Sequence, residues 1–262
     1  MTIASADSKL TRISFEIEDA IVRIVLRNPP VNVIDIPMME ELAHLLAEIE
    51  SQSQVMAVVV SGEGKAFSAG VDIAVHLPEK VEEMLTKFHA LVRALVAMPK
   101  VTVAAVHGLC LGGGAELATV CDLVYTSEDA EWGFPEIKLG CFPPVACTAL
   151  AALVGQKKAA ELILTGRSVT GREAGEIGLA TRSVPDHLLD STVQAYVAQL
   201  LRLSPSALSV AKKASYAWDS MHFDKGLARA EKTYFEELMK TPDAQEGIRA
   251  FLEKRPPKWT GK

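Results

Sequence analysis

The sequence predicts an α/β layer followed by a helical C-terminal part, and three observations carry that prediction. Short β-branched runs alternate with amphipathic stretches through the first half of the chain. The strand signal fades after about residue 145, and the strands before it end in Gly-rich turns that lead into helices. With 262 residues, 49 % of them hydrophobic and 23 % charged, the chain can bury a substantial core, which excludes disordered, collagenous and low-complexity classes.

The elements follow in order. Ile21–Leu26 (IVRIVL) is a β-branched strand stopped by Asn28-Pro29-Pro30. Residues 36–50 place Met38, Met39, Leu42, Leu45, Leu46 and Ile49 at helical spacing, with acids between them. Val55–Val60 (VMAVVV) is a second strand, ending at Ser61-Gly62. Val81–Met98 is an amphipathic helix with Val81, Met84, Leu85, Phe88, Leu91, Val92 and Leu95 on one face. Val101–Val106 is a third strand, closed by Gly108, and Leu123–Tyr125 a fourth. Helical patterns then cover 148–153, 157–164, 172–177, 187–203, 205–218, 223–239 and 244–254, with Pro205 at an early helical position. No repeat with a period of 20–50 residues is visible, and a soft boundary falls near residues 190–205.

Charge and composition narrow the partners. Twenty-seven Lys and Arg stand against 33 Asp and Glu, a formal charge of −6, and aromatics make up 6 %. Neither a general nucleic-acid surface nor an anionic membrane surface has that balance, so an anionic ligand needs a local device. Cys110, Cys121, Cys141 and Cys147 form no CxxC pair, and His107 near Cys110 lacks a second ligand pair, so buried reduced thiols are expected and a metal site is not. The first twelve residues lack the apolar centre of a signal peptide, and the most apolar segments fall short of the ~20 residues of a membrane span. A soluble, cytoplasmic protein is expected.

Two turns carry the candidate chemistry. The first is AFSAGVDI at 66–73; the second is GLCLGGGAELA at 108–118. Three consecutive glycines cost backbone entropy, and their compensation is access, since N–H groups of a helix's first turn can closely approach a ligand oxygen. One N–H from each of two loops could hold a developing oxyanion; tight helix–sheet packing is the alternative use of the glycines. A phosphate loop (GxxxxGK[ST]) is absent, Leu117 occupies the third glycine position of GxGxxG, and no GxSxG elbow occurs. Glu116 lies in an otherwise apolar helix, and Glu136 lies in the apolar, aromatic loop WGFPEIKLG at 132–140. Carboxyls in such surroundings have raised pKa values, which suits acid–base work near neutral pH, whereas each alone could serve as a cap or ion-pair member.

The ordered set FSAGVDI, GLCLGGGAELATVCDLVY and WGFPEIKLG closely resembles the enoyl-CoA hydratase/isomerase (crotonase) family. The resemblance runs from IVRIVLRNPPVN to FLEKRPPKWTG and includes LILTGRSVTGREAGEIGL at 162–179. It implies a crotonase-like spiral of ββα units over residues 1–195 as the catalytic core, and a helical trimerisation region over 196–262. It also implies an oxyanion hole from the backbone N–H groups of Ala69 and Gly113, polarising a thioester carbonyl. Glu116 would activate a water for attack at Cβ, and Glu136 would protonate the neighbouring carbon. The segment Ala69, Gly70, Val71, Asp72 and Ile73 would hold the adenine end of coenzyme A, with Gly112, Phe142 and Pro143 lining the substrate site.

Two departures from the family pattern stand out. Members carry a Lys or similar residue soon after the Asp-Ile pair, whereas here Ala74, Val75 and His76 follow. After the second glutamate the family reads roughly I-P-G-x-G-G-T, whereas this chain reads Cys141-Phe142-Pro143-Pro144-Val145-Ala146-Cys147. Two prolines stiffen that backbone and Phe142 adds bulk, so a rigid apolar acyl pocket is expected, unless the change only repacks a helix start. VNVIDIPMMEEL with GCFPPVA is similar to hydratases of cyclic dienoyl-CoA thioesters from anaerobic aromatic degradation, the best single expectation for the substrate. The alternatives are a short-chain enoyl-CoA hydratase or isomerase of fatty-acid or amino-acid breakdown, a non-catalytic acyl-CoA-binding paralogue, and RNA binding, against which the charge argues. The resemblance further implies a homotrimer or homohexamer, and no cofactor, coenzyme A being part of the substrate.

Overall fold

The computed structural model describes residues 10–77 and 79–260, without the side chains of 216–222. Two sheets organise the chain. The larger has the order β1-β2-β3-β5-β7-β10, formed by Ile13–Glu18, Ile21–Leu26, Ala57–Gly62, Val101–Val106, Leu123–Ser127 and Arg182–Val184. β1 and β2 form an antiparallel hairpin, and every other pairing in this sheet is parallel. The smaller sheet has the order β4-β6-β8-β9, formed by the three-residue strands Ala66–Ser68, Leu109–Leu111, Glu131–Gly133 and Ser168–Thr170.

The pairs β3–β4, β5–β6 and β7–β8 each place one strand in the large sheet and the next in the small one. Each pair then leads into helix: α2 (Val81–Ala97), α3 (Gly113–Thr119) and α4 (Pro144–Val154), the first and last through short 3-10 turns. This is the spiral of ββα units that the family resemblance implies. Its units differ in length, which is why the sequence shows no fixed period.

The near-continuous apolar runs of β2, β3 and β5 follow from burial on both faces. One face packs Val22, Ile24, Leu26, Val58 and Val60 against α1 (Ile36–Glu50) and α2. The other packs Ile21, Val59, Val103 and Tyr125 against Leu189, Val193 and Val197 of α7 (Leu189–Leu200). α1 starts where Asp35 accepts the Met38 N–H at 3.0 Å, and α7 runs across residue 195.

The C-terminal part corrects one expectation. Residues 205–218 and 223–239 are not two helices, because α8 runs unbroken from Pro205 to Glu236. No proline or glycine stands between residues 219 and 222 to end a helix. α8 packs on this chain's own core. Lys212 pairs with the nearly buried Asp122 at 2.7 Å, and Glu231 takes His89 Nδ1 at 2.8 Å and Arg93 Nη2 at 3.0 Å. α9 (Pro242–Leu252) lies on the turn Pro135–Leu139, so closely that a methyl on Gly247 would fall 2.2 Å from Leu139 O. α5 (Gln156–Thr165) and α6 (Gly171–Glu176) complete the fold. Cys110, Cys121 and Cys141 are buried and free, whereas Cys147 is free but exposed.

Candidate active site

The first loop of the site is held by Asn32, a buried residue in the left-handed region at φ 52°. Asn32 Nδ2 donates to Glu63 O at 2.9 Å and Ala66 O at 2.7 Å, while its Oδ1 accepts the Asn28 N–H at 3.0 Å. Ser68 Oγ donates to Asn32 O at 2.7 Å and accepts the Gly70 N–H at 3.1 Å. Residues 31–34 thereby run beside 69–72. Ala69 N–H donates to Val31 O at 2.8 Å, Ile34 N–H to Gly70 O at 2.8 Å, and Asp72 N–H to Ile34 O at 3.1 Å.

That pairing corrects the expected donor: the Ala69 N–H is taken up inside the loop. Val71 lies opposite Ile34, but the bonds of that bridge run through Gly70 O and Asp72 N. Among the described residues, the N–H groups of Val71 and Gly113 have no hydrogen-bond partner. They also lie close together, since a methyl on Gly113 would stand 2.6 Å from Val71 Cγ2 and 3.4 Å from Val71 N. Glycine at the start of α3 thus lets the two loops meet with their amides unpaired.

Gly112, at φ +51°, turns the chain from β6 into α3, and a methyl there would stand 2.9 Å from Glu136 Oε1. Glu116 lies one turn into α3, buried among Ala115, Leu117 and Ala118. Its Oε1 accepts the Ala146 N–H at 3.0 Å from the first turn of α4. Glu136 follows Pro135 in the 3-10 turn after β8, and its Oε2 is buried without a partner. Burial pushes the Glu116 carboxyl up to about 7, against the pull of the Ala146 and Val145 N–H groups. Burial, and then the neighbouring Glu116 charge, pushes Glu136 well above the carboxylate range.

Both glutamates face one small cavity of about 70 Å³. Ala69, Gly70, Val71, Ile73, Gly112, Gly113, Phe142 and Pro143, all expected from the sequence, line it as well. Asp72 does not; its side chain turns back to accept the Ala74 N–H at 3.0 Å. Pro143 and Pro144 start α4, and Phe142 meets Tyr234 edge-on at 5.2 Å between ring centroids. Several contributors had no site role in the sequence reading. Met84, Leu85 and Phe88 come from α2, where only their apolar spacing was visible, and Tyr234 comes from α8, far along the chain.

Two hard-to-ionise carboxyls beside two unpaired amides are the parts needed for proton transfer next to a carbonyl. The sequence model of the enoyl-CoA hydratase/isomerase family matches residues 16–262. The chain belongs to this family. Among its relatives, cyclohexa-1,5-dienecarbonyl-CoA hydratase of Thauera aromatica is 35 % identical, over 98 % of this chain and 99 % of that protein. A probable enoyl-CoA hydratase of Bacillus subtilis (strain 168) is 34 % identical, over 96 % of this chain and all of that one. The crystal structure of an enoyl-CoA hydratase from Mycobacterium avium subsp. paratuberculosis K-10 superposes with a TM-score of 0.86 at 28 % identity, covering 96 % of this chain and 99 % of that one. The hydratase-type enzyme and the α/β fold expected from the resemblance agree with these family members.

Proposed function

We propose that this family member is a hydratase that adds water across the conjugated double bond of an unsaturated acyl-CoA thioester. The observation that carries the reading is the pair Glu116 and Glu136 in one small apolar cavity. Two adjacent carboxyls in such surroundings resist double ionisation, so one holds a proton while the other is free to take one. Glu116 suits the ionised role, because the N–H of Ala146 at the start of α4 stabilises its charge. Glu136, with its unpartnered Oε2, suits the protonated role.

The steps then balance. Glu116 takes a proton from water as the oxygen bonds to Cβ, and the double-bond electrons move toward the thioester carbonyl. The N–H groups of Gly113 and Val71 hold the resulting enolate oxygen, with Val71 replacing the expected Ala69. The enolate collapses as Cα takes the proton of Glu136. Proton return from Glu116 to Glu136 restores the starting state, and the net change is the addition of one water. Donors aimed at the enolate oxygen favour the transition state over the neutral thioester.

As the substrate we propose a cyclic dienoyl-CoA. The Thauera aromatica relative's name and the stiff Phe142-Pro143-Pro144 wall support this choice. The backbone of residues 69–73 would hold the adenine end of coenzyme A. Assembly as a homotrimer or homohexamer is part of the same reading, with residues 196–262 contributing to the contacts. Its support is a groove of about 770 Å³ along α4, α5 and α8, lined partly by the exposed Leu153 and Leu164. A cytoplasmic location fits too; among the described residues no helix is long and apolar enough to cross a membrane.

Mass spectrometry of the purified protein with cyclic dienoyl-CoA and crotonyl-CoA tests the reading. A gain of one water on the cyclic diene alone supports both reaction and substrate. A gain on crotonyl-CoA alone keeps the reaction and discards the cyclic substrate. A double-bond shift without water makes the protein an isomerase, and coenzyme A binding without turnover makes it a binding paralogue.

A further inference from the structure

Four cavity-lining side chains are polar: His76, Glu116, Glu136 and Tyr234. His76 Nδ1 lies 3.0 Å from Asp72 O, and a carbonyl only accepts, so Nδ1 carries the ring proton. Burial lowers the His76 pKa, which keeps the ring neutral and leaves Nε2 an acceptor. Apart from a protonated glutamate, Tyr234 therefore supplies the cavity's hydrogen-bond donor from a side chain. Its ring is buried, and its hydroxyl, whose polar neighbour is the Cys141 sulfur, makes no hydrogen bond of ordinary geometry among the described residues. The neighbouring Cys141 thiol points its weak donation at Leu139 O, 3.7 Å away. Burial raises the phenol's pKa well above its ordinary value, so it stays protonated and able to donate.

A buried, unpaired hydroxyl costs stability, and a site that retains one has a use for it. Glu136 Oε2 is the second orphan of the same cavity, and since both atoms lack partners they do not reach each other. The reaction involves two substrate oxygens. The thioester oxygen is assigned to the amides of Gly113 and Val71, which leaves the oxygen delivered by water. That oxygen gives a proton to a carboxylate, bonds carbon with one lone pair, and keeps another lone pair for a donor.

We propose that the Tyr234 hydroxyl donates a hydrogen bond to the oxygen that water adds at Cβ, and so binds the hydroxyl of the hydrated product. This rests on the hydratase reading. α8 brings the tyrosine to the site and is tied there by Glu231 to Arg93 and His89, one turn before Tyr234. The edge contact with Phe142 fixes the ring. In the reverse direction the same bond steadies the departing oxygen as Glu116 returns its proton and water leaves.

Tyr234→Phe tests this, since it removes the hydroxyl and keeps the ring. Binding of 3-hydroxybutyryl-CoA and of butyryl-CoA is measured for wild type and variant, beside hydration kinetics and thermal midpoint. The expected result is a wild-type preference for the hydroxylated thioester, lost by about 3- to 10-fold in the variant. Butyryl-CoA affinity stays unchanged, and kcat falls with KM nearly constant. An equal loss for both thioesters, or an intact preference, overturns the proposal. Phe142→Leu, which disturbs ring packing without touching the hydroxyl, is expected to weaken both thioesters alike; loss of the preference there too assigns Tyr234 a structural role. If wild type hydrates no enoyl thioester, the hydratase reading fails and takes this proposal with it. If wild type hydrates and Tyr234→Phe behaves identically, only this proposal fails.

Discussion

Glu116 Oε1 accepts the N–H of Ala146 at 3.0 Å, and no such bond reaches Glu136 Oε2. On the hydratase reading proposed above, the difference makes Glu116, anchored on α4, the charged member of the pair and Glu136 the proton-bearing one. Replacing either carboxyl by its amide keeps the shape and removes the proton transfer. Glu116→Gln and Glu136→Gln are each expected to lower hydration kcat by roughly 100- to 10,000-fold. Thioester affinity, read by calorimetry, should change little, because the acyl-CoA contacts remain. Near-normal turnover in either variant removes that residue from the mechanism.

The same pair sets the pH dependence. Glu116 must be ionised to accept a proton, so kcat/KM should fall as pH drops below its pKa of about 7. It should fall again at higher pH as the Glu136 proton is lost, giving a bell whose limbs belong to the coupled pair. Stability follows with a definite sign. A carboxyl with a folded pKa above its ordinary 4.5 binds its proton more tightly in the folded protein. That stabilisation is complete below the ordinary value and is lost as pH rises through the folded one. Glu136→Gln removes the titration. Its thermal midpoint relative to wild type should therefore be higher at about pH 8 than at about pH 5. An equal difference at both would mean that the folded carboxyl titrates normally.

Long, strongly patterned elements were legible in the sequence. β2 and β5 run over the residues expected, and α1 keeps both its ends. Glu116 and Glu136 were legible because a carboxyl amid apolar residues demands explanation, and the structure brings both to one cavity. The second sheet was not. Its strands have three residues each, too few to display an alternation of period two, and their pairing is set by distant partners. The direction of an amide was not legible either. Ala69 and Val71 look equivalent in sequence, and the pairing of residues 31–34 with 69–72 separates them. In the sequence α8 looks like two helices because its anchors are single polar residues, Lys212 and Glu231, rather than an apolar stripe.

Asn32 is expected to matter beyond stability. Its side chain gathers Asn28, Glu63 and Ala66, and its carbonyl holds the Ser68 hydroxyl. Asn32→Ala leaves buried backbone groups unpaired in a backbone conformation that alanine disfavours. A loss of about 2–3 kcal/mol in urea unfolding is expected. Hydration by the folded fraction should also drop, because the loop presenting the Val71 amide loses its frame. Full activity per folded molecule would disconnect Asn32 from the site.

The anchor at the other end of α8 gives a purely structural contrast. Asp122 Oδ2 accepts the Thr102 N–H at 2.7 Å and the Thr102 hydroxyl at 3.0 Å, and pairs with Lys212 Nζ at 2.7 Å. Lys212 also donates to Lys100 O at 2.9 Å, and its side chain is 8 % exposed. Lys212→Met leaves the Asp122 carboxylate nearly buried with its cation removed, at a cost of about 3–5 kcal/mol. Lys212 is absent from the cavity lining, so at temperatures where the variant stays folded, kcat and KM should match wild type. Asp122→Asn combined with Lys212→Met should recover part of the loss, since no unpaired charge then remains. A double variant no more stable than Lys212→Met would assign the cost to the lysine's packing rather than to the stranded carboxylate.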